Sequence, residues 1–97
     1  MNDRAREALV AAALNGTPQI RGALRDQKDG RCALGVLCEA AGFFMPAGVN
    51  IIDTEDILES WAECSLQEAT EIVRANDALR WDFLTIARKI GVKDEGN

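Results

Sequence analysis

The chain contains no histidine and no tyrosine, and it has only two prolines, three phenylalanines and two tryptophans in 97 residues. Each shortage excludes something. Histidine is the commonest general base and a principal zinc ligand, so its absence removes the usual serine or cysteine nucleophile schemes and most zinc sites. The three cysteines, an odd number, do not replace it. Cys32 and Cys38 are separated by five residues and Cys64 lies far off, whereas structural zinc sites favour Cys-x(2–4)-Cys spacing. The simpler reading is three reduced thiols serving as small core residues. Activation of Cys32 by a helix N-terminus is the one reactive alternative. Gly16, Gly22 and Gly30 lie too far apart for a phosphate loop or a dinucleotide fingerprint. Ser60 and Ser65 have no catalytic motif around them. No apolar run approaches the roughly 18–20 residues of a membrane span. The start, Met1 to Arg6, leads into an Ala-rich amphipathic stretch rather than an apolar signal core, which predicts a cytoplasmic protein. Together these absences predict a non-enzymatic protein that uses no cofactor and no metal and acts by binding.

Charge of one sign is also missing from a long stretch. No Lys or Arg occurs between Arg31 and Arg74. Residues 1–38 hold six basic and four acidic side chains, and residues 78–97 hold four and three. Residues 39–77 hold nine acidic side chains against one basic, a sum of −8 within an overall −5. Such a balance disfavours direct binding to a duplex.

What is present is apolar residues at 47% of the chain, mostly Leu, Ile, Val and Ala, a palette for packed helices. The length predicts one domain, 1–97, on a prior of roughly 100–200 residues per domain. Helical spacing predicts an all-α compact bundle of four or five short helices. The first covers 3–14, with Ala5, Leu9, Ala12 and Ala13 inward, Asn2 or Asp3 as cap and Asn15-Gly16 as stop. The second covers 33–41, apolar on nearly every side and ended by Gly42. The third covers 54–64, capped by Asp53 or Thr54, with Ile57, Leu58, Trp61 and Ala62 as its stripe. Ser65-x-x-Glu68 is a capping box that opens the fourth, 66–77, with Leu66, Ala69, Ile72 and Val73 on one stripe and Asn76 as a candidate to extend it. Asn76-Asp77 loosens its end. Asp82 caps the fifth, 83–91, with Phe83, Ile86, Ala87 and Ile90 inward and Gly91 as stop. Asp29-Gly30 is a turn dipeptide, so 20–33 admits one small β-hairpin. The expected core is Leu34, Leu37, Ile57, Trp61, Ile72, Val73, Phe83 and Ile86.

Leu24-Arg25-Asp26 followed by Asp29-Gly30-Arg31-Cys32-Ala33-Leu34-Gly35-Val36-Leu37-Cys38-Glu39-Ala40-Ala41-Gly42 resembles a motif in small uncharacterised proteins of bacteriophages and prophages. Those proteins carry Cys-Cys-Leu-Gly-Val-Leu-Cys-Asp and, downstream, an Asn-Asp pair before a helix of Phe-x-x-Ile-Ala type. Val73-Arg74-Ala75-Asn76-Asp77 and Phe83-Leu84-Thr85-Ile86-Ala87 match this second block. Ala33 and Glu39 depart from it, standing for the second Cys and the Asp, and Arg80-Trp81-Asp82 replaces a small polar lead. The resemblance implies a phage or mobile-element origin and no particular mechanism.

These readings converge on a phage-derived inhibitor or adaptor, anti-CRISPR-like, that docks an acidic surface on a basic surface of a host protein or complex in the host cytoplasm. The regularly spaced carboxylates of Glu55, Asp56, Glu59 and Glu63, with Glu68 and Glu71 behind them, are the expected protein-binding residues. The plainer reading of the same residues is a solvated helix face. The alternative is a small nucleic-acid-binding regulator. Phe83 to Val92 resembles the first half of a helix-turn-helix, and Arg80, Arg88, Lys89 and Lys93 would carry it, with a homodimer left open. Against it, only five residues follow Val92 where a recognition helix belongs, and two of them are acidic.

Overall fold

The computed structural model describes residues 1–21, 30–42 and 55–90, apart from the side chains of Glu55 and Ile57. Among these the fold is all-α: α1 (Asp3–Leu14), α2 (Ala33–Ala40), α3 (Glu55–Ala62), α4 (Leu66–Asp77) and α5 (Phe83–Lys89). The caps explain the starts. Asn2 Oδ1 accepts from Ala5 N, Ser65 Oγ from Glu68 N and Asp82 Oδ1 from Thr85 N, each satisfying one of the orphan donors of a first turn. α1 ends in a Schellman arrangement. Gly16 takes φ +72°, its N–H reaches Ala13 O, and Thr17 N–H reaches Ala12 O. Gly42, φ +89°, closes α2 in the same conformation. The expected caps of α3 at Asp53 or Thr54, and the stop at Gly91, lie outside the described residues.

α2 is the centre of the bundle. It packs on α1, α3 and α4, while α1 also covers α5 and α3. Every residue from Ala33 to Cys38 is buried, which is why its sequence is apolar all round. Leu34, Leu37, Ile72, Phe83 and Ile86 form the core as expected, joined by Leu9, Leu58, Cys38, Cys64 and the alanines Ala5, Ala62, Ala69 and Ala75. Trp61 and Val73 are half-buried against that core rather than inside it. Ile57 has no described side chain.

Four expectations change. Leu66 is exposed, at 53%, although it falls on the helical period of the stripe. The capping box is half-formed, since the carboxylate of Glu68 pairs with the amino group of Met1. Asn76-Asp77 does not loosen α4, which runs through Asp77 with Asn76 buried. At the ends of 20–33, Gln19 and Arg31 form a single parallel bridge, a pairing that a hairpin, being antiparallel, does not make. Residues 22–29 lie outside the described residues.

Arg6 ties the two ends of the described chain together. Its guanidinium donates to Ala87 O at 3.2 Å, Ile90 O at 3.2 Å and Met1 O at 2.9 Å, so α1 caps the carbonyl end of α5 with a cation. We expect Arg6→Ala to cost about 1.5–3 kcal/mol in urea unfolding, the range for bonds to a charged group. Arg6→Lys should not restore it, because one ammonium does not reproduce the fork that spans three carbonyls.

Candidate functional site

Two places in the fold collect polar chemistry. The first is internal and centres on Asn76, the one polar residue among the described residues that the fold buries, at 1% exposure. Its Oδ1 accepts from Gln19 Nε2 at 2.8 Å and from the backbone N–H of Ala33 at 3.1 Å. Its Nδ2 donates to Ile20 O and to Asp77 Oδ1, both at 2.8 Å. All four hydrogen-bonding positions of the amide are therefore filled. Gln19 Nε2 also donates to Trp81 O at 2.8 Å, so the hub joins the 19–20 segment, the start of α2 and the turn before α5. The two sequence blocks of the motif meet here, Ala33 from one and Asn76 from the other. Arg31 and Glu39 form an ion pair across α2. The cluster has a structural role: the Asn76 amide spends its whole hydrogen-bonding capacity on Gln19, Ile20, Ala33 and Asp77.

The cysteines belong to the same interior. All three are buried thiols outside any disulfide. Cys32 is the N-cap of α2, yet burial pushes its thiol up to about 11, outweighing the backbone N–H groups of Gly35 and Leu34, which favour thiolate. Burial, with the Glu68 carboxylate adding to it, pushes Cys64 up to about 12. Thiolate is the reactive form. We therefore expect the native protein at neutral pH to resist a thiol-reactive disulfide reagent and to release three equivalents of thiol only on denaturation. Rapid reaction of one native thiol would contradict this. Among the described residues no group of three or more His, Cys, Asp or Glu side chains is placed to hold a metal.

The second place is the surface formed by α3 and α4. Asp56, Glu59, Glu63 and Glu71 are exposed and Glu68 is half-buried. Asp56, Glu59 and Glu71 form no ion pair with any described residue. Glu63 holds φ +50° just past α3, and its Oε2 accepts from Asn2 Nδ2 at 3.2 Å. Glu68 is committed to Met1. Glu55 lies on α3 with its side chain outside the description. The structure thus keeps most of the candidate carboxylates on the outside but draws Glu68 inward and Glu63 to its edge.

It also brings cations to that surface, which the linear charge map does not show. Asn2 N–H bonds Ala62 O at 2.8 Å, docking the start of α1 on the end of α3. Arg4 then lies 4.8 Å from the centroid of the Trp61 ring and donates to Trp61 O at 2.6 Å. Of the residues considered for nucleic-acid binding, Arg80, Arg88 and Lys89 are exposed, and Lys89 lies 5.2 Å from the Trp81 ring. Lys93 is outside the described residues. Between α1 and α2 an open groove of about 370 Å³ is lined by alanines, with Asn15, Arg31 and Glu39 on it. Its two charged groups pair with each other. No described helix is long and apolar enough to cross a membrane.

Comparison with protein families, with curated proteins and with solved structures found no significant match.

Proposed function

We propose that the chain is a non-enzymatic, phage-derived binding protein that occupies a basic, nucleic-acid-handling surface of a host complex in the host cytoplasm, in the manner of an anti-CRISPR protein. The supporting observation is that Asp56, Glu59 and Glu71 stand exposed on α3 and α4 without a described ionic partner. Carboxylates arranged on helices present charge to the Arg and Lys clusters that otherwise hold phosphates. Salt-bridged surface helices interleave both signs, and α3 carries no basic residue.

The test is competition. The partner recovered from host lysate should lose its nucleic acid as the protein is added, and the association should weaken with salt. Reversing Asp56, Glu59 and Glu71 together to lysine should lower affinity at least about tenfold, on the scale of like-charge juxtaposition at an interface. An unchanged affinity for the triple variant would sink the acidic-surface reading. A gel shift of duplex DNA by the protein alone at low salt would instead favour the regulator reading through Arg80, Arg88 and Lys89.

A further inference from the structure

We infer that the C-terminal end of α3 is an arginine-binding site, filled in the isolated protein by its own Arg4 and taken over by an arginine of the basic partner on docking. The inference rests on the acidic-surface reading above and adds the side chain that is recognised.

Three groups converge there. The Trp61 ring offers a π-face 4.8 Å from the Arg4 guanidinium carbon. The Trp61 carbonyl accepts from Arg4 Nη2 at 2.6 Å. The Glu63 carboxylate joins the same cluster through Asn2, whose Nδ2 bonds both Trp61 O, at 2.9 Å, and Glu63 Oε2, at 3.2 Å. A planar guanidinium can lie over a ring face and donate in its own plane to an adjacent oxygen at once, a combination that suits it better than a compact, strongly hydrated ammonium. Arg4 therefore acts as a ligand that reports the chemistry of its own site.

Arg4 is also dispensable to the fold. The side chain is exposed. The junction of α1 with α3 is held by Asn2, through its backbone N–H to Ala62 O and its side chain to Trp61 O. If Arg4 leaves, the Trp61 carbonyl keeps Asn2 as donor. Exchange of one arginine for another thus trades the Arg4–Trp61 contacts for equivalent ones and leaves the Asn2 bonds between α1 and α3 in place, and the exposed carboxylates raise the local concentration of a cationic partner.

The experiment is calorimetric titration of the full chain at low salt with oligoarginine and oligolysine peptides of equal length. The parent should bind oligoarginine more tightly. Arg4→Lys keeps the charge but holds the site less well, so it should raise oligoarginine affinity about two- to five-fold, the size of an exposed cation–π contact, with little change for oligolysine. Arg4→Ala should widen the ratio further, with a cooperative melting transition lowered by no more than about 4–8 °C, the shift for roughly 1 kcal/mol, showing that the fold is intact. An arginine-to-lysine ratio that stays the same in both variants overturns the arginine site. If both peptides bind equally to every protein, the acidic surface survives and the arginine site does not. If neither peptide binds, both readings fall.

Discussion

Replacing Asn76 with alanine is expected to cost about 3–5 kcal/mol, a large part of the roughly 5–15 kcal/mol that a domain of this kind has in total. The size follows from what is stranded. The Ala33 N–H, in a fully buried bond, loses its acceptor, and Ile20 O loses its donor. Each such orphan costs about 1–3 kcal/mol. Gln19 loses one of two partners and keeps Trp81 O. Asn76→Asp has the same size and should be no milder. Its second oxygen would face Ile20 O and Asp77 Oδ1, where the amide now donates at 2.8 Å to each. Chemical denaturation of the two variants separates direction from volume. A mild effect of the Asp substitution would mean that space, not donation, is what the hub requires.

Leu37→Ala should fall in the same range, about 2.5–5 kcal/mol, for a different reason. Leu37 is 0% exposed on the helix that touches α1, α3 and α4. Truncation there removes transfer free energy and leaves a cavity that three surrounding helices cannot all close at once. The same change at Leu14 or Leu66, which are 79% and 53% exposed, should cost only about 0.5 kcal/mol or less, as for ordinary surface positions. Urea midpoints for the three variants test the ranking, and a small Leu37 effect would place the centre of the core elsewhere.

Both effects bear on the candidate surface. The hub positions the start of α2 against α4, and α2 supports α3 and α4 from behind. Loss of either should reduce binding by lowering the folded population, with the salt dependence of the remaining binding unaltered. Loss of surface carboxylates should do the reverse.

The helices and most of their caps were legible in the chain, because they depend on neighbours within one turn. Asn2, Ser65 and Asp82 each cap a donor three residues on, and Gly16 and Gly42 supply the left-handed conformation after α1 and α2. The apolar character of α2 on all sides foretold its central place. Asn76 shared an apolar stripe but read as a loosening of α4, since its partners Gln19 and Ala33 lie 57 and 43 positions away. Leu66 followed the helical period yet ended exposed, because a period specifies a face and not what covers it.

The acidic middle of the chain shows the same division. The order of residues determined that 39–77 carry −8, that histidine chemistry is absent and that the carboxylates of α3 and α4 fall at helical spacing. Only tertiary structure decided which of them remain available. The chain start, lying across the end of α3 and the first turn of α4, gave Glu68 to Met1, linked Glu63 to Asn2 and laid Arg4 on Trp61. Coulombic and hydrogen-bonding partners act over a few ångströms of space, and Arg4 and Trp61, 57 positions apart in the chain, carry no signal of that closeness.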